Sequence, residues 1–491
     1  MNRRHPIGVG SADVVGTAED GLVSSHMSGL GKGHTVVTDS VDVDSASFAS
    51  LRARPLPRAE RYELGRRLRE KVPIASLGDW TPPADRPDPV KQIEYSHQGR
   101  IEWLIPTRLE RMVESPYGFL RGTAIVMARD VAMLPSTGIN PVISGDAHLG
   151  NFGFYASPER DLVIDLNDFD EAHPGAWEWD LRRLAASIWV AGRQNGRTED
   201  QCRDAVTACV SAYRIEVARL ADEPLMSRSF QRLTAEKLQR DATEGSLRKE
   251  IKRATKKARR RTSDRVLPRF TEKHEGKRRI VEEPPITTRI SARDEELLAV
   301  GLDEYLLTLT PHWRRVLGGY TLIDVAHRVV GVGSVGLRAY VALLEGTSED
   351  DVVFLQLKQA RRSVLAPYVH GESAWHDHQG QRVVEYQQDL QTVSDPLLGW
   401  TTIAGRQYYV RQFRNMKGTI DLSSIDAPAL VDYARVVGRL LAKGHARTSG
   451  ASMISGYTGD SDALEVALCR FAQLYADQTE ADWERLSATR M

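Results

Sequence analysis

The stretch ISGDAHLGNFGFYASPERDLVIDLNDFDEAHPGAWEWDL, residues 143–181, sets Asp146, His148 and Asn151 on one turn-rich loop and Asp165, Asp168 and Asp170 just beyond it. Carboxylates crowd in this way mainly where a cation or a reacting proton offsets their repulsion. A solvated acidic loop is the alternative, but it has no need of LVIDL, an apolar run that leads the carboxylates out of an interior. The segment requires a fold in which a buried strand ends at a charged cleft.

Residues 1–46 are rich in Gly, Ser, Val and Asp without helical or strand period, which predicts a disordered leader. From Ser47 to Gly138 the apolar spacing is mainly helical, and helix resumes at WEWDLRRLAASIWVAGRQ after the acidic segment. The texture changes near residue 319. YTLIDVAHRVVGVGSVGLRAYVALLEG reads as strand, glycine turn and strand, DVVFLQLKQA as a third strand, GQRVVEYQQDLQTV as helix, and LGWTTIAGRQYYVRQF as two more strands. ALVDYARVVGRLLAKGHART is a strong amphipathic helix. Helices, then a small sheet over 319–414, then helices again define an α+β class.

Charge and cysteine usage exclude some functions. Lys plus Arg and Asp plus Glu number 66 each, which leaves no global attraction for nucleic acid or a membrane surface. Three cysteines are too few for a disulfide framework, and Cys202 and Cys209 have core spacing on a helix. The N-terminus lacks the apolar stretch of a signal peptide, and the expectation is a soluble, cytoplasmic protein. The run LRKEIKRATKKARRRTSDR (247–265) predicts a charge-rich helix with a solvated face; its alternative is a dock for a phosphate-bearing substrate. No aromatic residue interleaves it, which speaks against single-stranded nucleic acid.

Asp146 and Asn151 stand five apart on a loop with Gly145 and Gly150. In phosphoryl transfer an Asp accepts the hydroxyl proton, and an Asn five residues later holds a metal ion near the phosphates. Asp168 then stands where a carboxylate ligates Mg²⁺; Asp165 is its rival, with Asp170 behind it, and Asp180 is expected to cap a helix start and brace the loop above.

The segment GDAHLGN…NDFDEAHPGAWEWDL resembles the catalytic and metal-binding loops of protein-kinase-like phosphotransferases, especially aminoglycoside and choline kinases. The resemblance makes Asp146 the catalytic base, Asn151 and Asp168 the metal ligands, His148 the family's second His and Asp180 its structural Asp, with Ser144 in place of the first His. Further along, Gly331, Gly333, Ser334 and Gly336 of GVGSVG resemble the glycine-rich loop over the phosphates. Lys358 resembles the phosphate-gripping lysine, Glu385 the helix glutamate that holds it, and Tyr409 and Arg411 lie in the strand resembling the adenine hinge. These parts follow the kinase order, but the catalytic segment precedes them, which implies a circular permutation. From about Ser47 onward the chain also resembles a bacterial domain-of-unknown-function family, number 2252, on FLRG, GDAHLGNFG, GVGSVG and YVRQFRNMKG.

The resemblance implies a two-lobed kinase-like fold: 47–315 and 419–491 as the large lobe, with a helical insert over roughly 186–315, and 316–418 as the small lobe. It implies ATP and Mg²⁺ as cofactors and a hydroxyl of a small molecule or protein as acceptor. AMP transfer on the same fold and a non-catalytic nucleotide-binding scaffold are the alternatives.

Overall fold

The computed structural model describes residues 55–329, 331, 333–369, 376–448 and 450–489. The leader expected over 1–46, and Val332 within the glycine turn, lie outside these. Among the described residues no helix is long and apolar enough to cross a membrane.

The helical body is built from α1 (Ile105–Val113), α2 (Pro116–Gly122), α3 (Trp177–Gln194), α4 (Glu199–Asp222) and α5 (Gly245–Ala258), and from α6 (Ala427–Thr448) and α7 (Ala463–Ala488) much later in the chain. The helix α3 is buried on all sides from Trp177 to Gly192, as expected of a helix that others surround. Where α4 and α6 cross, a side chain on Gly438 would stand 2.2 Å from the Cys209 carbonyl, so only glycine lets the backbones approach this closely. Cys202, Cys209 and Cys469 are buried free thiols.

Four short strands hold the acidic segment. β1 (Val142–Ile143) leads in, β2 (Phe152–Ala156) and β3 (Leu162–Leu166) form an antiparallel hairpin, and β4 (His173–Pro174) pairs back onto β1. That last pairing draws both ends of the segment together, so the loops at 144–151 and 167–172 lie side by side.

A small hairpin follows, β5 (Thr271–His274) with β6 (Lys277–Ile280), and then the strands of the main sheet: β7 (Thr287–Thr288), β8 (Thr321–Arg328), β9 (Ala339–Glu345), β10 (Val352–Gln359), β11 (Gly399–Ile403) and β12 (Arg406–Gln412). The sheet is antiparallel throughout, in the order β11-β12-β10-β9-β8-β7. Alternate residues part to its two faces. Ala342, Leu344, Leu355 and Leu357 pack with Leu298, Leu302 and Tyr305, whereas Val341, Leu343 and Phe354 pack with Ile280. Residues 263–317 therefore cover the sheet rather than belonging to the helical part assigned to 47–315. The sequence boundary near 315 followed the first long strand and took no account of what covers its two faces.

Candidate active site

The loop from Ser144 to Asn151 is held from below by α3. Asp180 accepts the backbone N–H groups of Ser144 (2.7 Å) and Gly145 (2.9 Å), and His445 Nε2 lies 3.3 Å from the same carboxylate. His445 is fixed in turn by the Tyr213 hydroxyl at 2.8 Å. Gly145 has φ +73°, and a side chain there would meet the Glu171 carbonyl at 2.3 Å. The tight turn thus depends on glycine. Asn151 Nδ2 donates to the Asp146 carbonyl at 2.7 Å and Leu149 N–H to Ser187 Oγ at 3.1 Å, so the loop is rigid from both sides. Ser144 Oγ is buried without a hydrogen-bond partner.

Arg183, three residues beyond Asp180 on α3, donates Nε to Asp146 Oδ1 at 2.5 Å. Even so, burial, reinforced by the negative charges of Asp168 and Glu171, raises the Asp146 pKa to about 7. A carboxylate with that value is suited to take a proton near neutrality. His148 is buried beside Arg121 and Arg183, which holds its pKa well below the ordinary histidine value, so it is neutral. Its Nδ1 accepts the Gly150 N–H at 3.1 Å and its Nε2 lies 3.9 Å from Asp146 Oδ2.

Three carboxylates after the β2–β3 hairpin take different partners. Asp165 is buried at the end of β3 and ion-paired with Lys443 of α6, which withdraws it from the cleft. Asp168 has a 43% exposed side chain; its Oδ1 has no hydrogen-bond partner and lies 4.0 Å from Lys358 Nζ. Asp170 is bound at 2.8 Å by Lys358 Nζ and at 2.8 Å by the Tyr409 hydroxyl. Burial would raise the Asp170 pKa, but Lys358 outweighs it and the carboxyl stays below its ordinary value.

Lys358 reaches this cluster from β10, an interior strand, with its stem buried. Its cross-strand neighbour is Tyr409 and that of Gln356 is Arg411, so all four share a face. Burial opposes the Lys358 charge; Asp170, Tyr409 and Asp168 overcome it and raise its pKa above the usual lysine value. Arg411 donates to Gln356 Oε1 at 3.1 Å with its guanidinium 5.5 Å from the Tyr409 ring.

The expected Lys358–Glu385 pair does not form. Glu385 is bound by His376 Nε2 (2.6 Å) and Gln381 Nε2 (2.7 Å), and 43% of its side chain is exposed. The helix Gln379–Leu390 turns Arg382 inward instead, where Nη2 holds the Asp170 carbonyl at 2.8 Å and Nη1 the Ala172 carbonyl. Glu385, one turn on, is held by His376 and Gln381 instead, and Asp170 takes the lysine.

The glycine turn packs against the segment that precedes the 144–151 loop, over residues 100–121. Arg111 donates to the Gly331 carbonyl, Arg100 to the Val335 carbonyl at 2.5 Å, and Ile101 N–H to Gly336 O at 2.8 Å. Gly333 approaches the Arg121 carbonyl, and the Arg121 guanidinium covers Tyr117, the ring set edge-on against His148. Ser334 lies between Gly333 and Val335 in this turn, within the segment those arginines fix.

Among the described residues no three His, Cys, Asp or Glu side chains stand together as a preformed metal site. Magnesium needs no such cage, because it is held by one or two carboxylates with substrate phosphates and water completing its octahedron. Asp168, with its unpartnered oxygen, and Asn151, whose Nδ2 is used but whose Oδ1 is left over, fit that requirement.

Lys358→Met should lower stability by about 1–3 kcal/mol, because it leaves Asp170 partly buried without its cation. Adding Asp170→Asn should restore most of the loss. Urea denaturation of the single and double variants checks this, and additive losses would show that the pair is not coupled.

The local segment pointed to Asp146, Asn151, Asp168 and Asp180, and the kinase resemblance to Lys358. Neither pointed to Arg183, Arg382 or Lys443. Only Arg183 carried a local signal, one helical turn after Asp180. Residues 100–489 match a family described as an uncharacterized protein conserved in bacteria, DUF2252. No curated protein and no solved structure matches the chain.

Proposed function

The chain belongs to the DUF2252 family, and we propose that it is an ATP- and Mg²⁺-dependent phosphotransferase of kinase-like, circularly permuted construction, acting on a hydroxyl. The observation that carries this reading is the meeting of Lys358 with Asp170 and Asp168, at 2.8 and 4.0 Å. A lysine from the sheet and carboxylates from the acidic loop share one cleft although they stand in the inverse of the kinase order. Part of this pairing serves the fold, because Lys358 and Asp170 offset each other's burial, but Asp168 keeps an oxygen without a hydrogen bond beside the same lysine, an arrangement suited to charged phosphates and a metal ion.

In this reading Asp146 receives the acceptor's proton, and Arg183 and Asn151 fix the carboxylate and its backbone. Asp168 and Asn151 would hold Mg²⁺, which neutralises phosphate charge when bound. Lys358, Arg411 and the backbone of 331–336 attract and cover the phosphates. Transfer of this kind asks mainly for positioning and charge neutralisation, which these groups supply.

Incubation with Mg²⁺ and γ- or α-labelled ATP plus bacterial extract tests the reading. The γ-label should move to an acceptor. Transfer of the α-label instead would mean AMP transfer, and no transfer of either label would favour a nucleotide-binding scaffold.

The pH dependence has a definite sign. With its pKa at about 7, Asp146 carries a proton below neutrality and cannot accept another. Turnover at saturating nucleotide should rise about tenfold per pH unit up to pH 7 and then level off. A profile flat from pH 5 to 8 would remove Asp146 as the base.

A further inference from the structure

A cavity of about 440 Å³ opens beside the catalytic loop, lined by Tyr117, Arg121, Gly150, Arg253, Lys257 and Arg261 among others. Gly150 belongs to the loop between Asp146 and Asn151, and Tyr117 lies edge-on to His148 at 6.2 Å. The cavity therefore adjoins the proposed base without including the Lys358 cluster. Its volume is that of a small-molecule pocket.

The basic run at 247–265 forms one wall. The helix α5 buries Leu247, Ile251, Ala254 and Ala258, which leaves Arg253 and Lys257 four apart on another stripe, with Arg261 four further on. Arg253 is already bound by Glu250 (2.6 Å) and Asp421 (3.0 Å). Among the described residues Arg121, Lys257 and Arg261 have no carboxylate partner, and Arg121 Nε is buried with no hydrogen bond at all. Lys257 is exposed and Arg261 Nη1 donates to the Lys417 carbonyl at 2.9 Å, and Glu250 and Asp421 in the same wall are already engaged with Arg253, so the three cations leave the cavity a positive field open to an anion.

We propose that this cavity seats the acceptor, and that the acceptor is a small alcohol already carrying a phosphate group. This rests on the phosphotransferase reading above. A phosphomonoester is nearly dianionic at neutrality and has three acceptor oxygens, which matches two guanidinium forks and an ammonium better than a single carboxylate does. With that phosphate held by Arg121, Lys257 and Arg261, the hydroxyl points past Gly150 to Asp146. The acceptor oxygen bonds to the γ-phosphorus, the bond from that phosphorus to the β-phosphate oxygen breaks, and the hydroxyl proton passes to Asp146. ADP and a bisphosphorylated product leave.

Calorimetric titration of the full chain tests this, with inorganic phosphate as probe, malonate as the carboxylate arm, saturating ADP·Mg and constant ionic strength. Each charge-assisted contact is worth about tenfold in affinity. Lys257→Gln, at an exposed position, and Arg261→Gln should each weaken phosphate by about tenfold and leave ADP·Mg affinity unchanged, and Arg261→Lys should recover part of the loss. Unchanged phosphate affinity in both variants, with ADP·Mg still bound, overturns the cavity proposal alone. Malonate bound more tightly than phosphate overturns the phosphate class. Absence of ADP·Mg binding, with phosphate still lost in the variants, overturns the phosphotransferase reading and the acceptor role with it.

Discussion

Asp146→Asn should lower turnover by roughly two or more orders of magnitude, the contribution of a positioned general base, while nucleotide affinity stays nearly unchanged. The amide keeps the shape of the carboxylate and its contact with Arg183, so the loop braced by Asp180 and Asn151 should hold. What is lost is the acceptor for one proton, about 2.7 kcal/mol or more of transition-state stabilisation. Single-turnover kinetics beside calorimetric ATP titration separate the two quantities. A parallel fall in affinity and rate would make Asp146 a binding residue, and a rate within a few-fold of the parent would remove it from the chemistry.

The largest expected effect on stability belongs to a pair outside the cleft. Lys443→Met should cost about 3–5 kcal/mol, because it strands the Asp165 carboxylate in an interior where both partners are nearly inaccessible. The double variant with Asp165→Leu should recover most of that, since a buried ion pair is often replaced by apolar groups at little cost. Asp168→Asn, at a half-exposed side chain with an unpartnered oxygen, should leave the unfolding midpoint almost in place and remove the Mg²⁺ dependence of nucleotide binding. Urea titration and Mg²⁺ titration of the three variants distinguish these roles. Metal loss on altering Asp165, with stability intact, would reverse the assignment.

How legible the site was in the sequence depended on distance. Asp146, Asn151 and Asp180 lie within one local segment whose glycines and strand residues dictate the loop, so the segment itself pointed to them together. Five of the six strands of the sheet were likewise readable, because β-branched runs alternate and end at turns, whereas the two residues of β7 carry no such run. The Lys358–Glu385 pair failed for a geometric reason. Motif order fixes which helix follows which strand, but not how that helix is rotated, and here Arg382 faces inward. Lys443 reaches Asp165 across 278 positions, and nothing local to either residue announces the other. The covering of the sheet by 263–317 was hidden for a similar reason: amphipathic helices show that they bury a face, not against what.

The late position of α6 and α7 has a consequence for how the protein is made. Asp165, Asp180 and Arg193 are synthesised well before Lys443, His445 and Asp477, which complete their interactions. Arg86 similarly waits for Asp482. The sheet must be translated in between. While the chain is still emerging from the ribosome, the acidic segment has Asp165 and Asp180 but not Lys443, His445 and the helices that close over them, and the large core is exposed. Closure by contacts of such long sequence separation is entropically slow. A nascent chain halted before residue 427 should therefore be sensitive to protease across residues 142–222, and it should acquire resistance only when the final helices have been released.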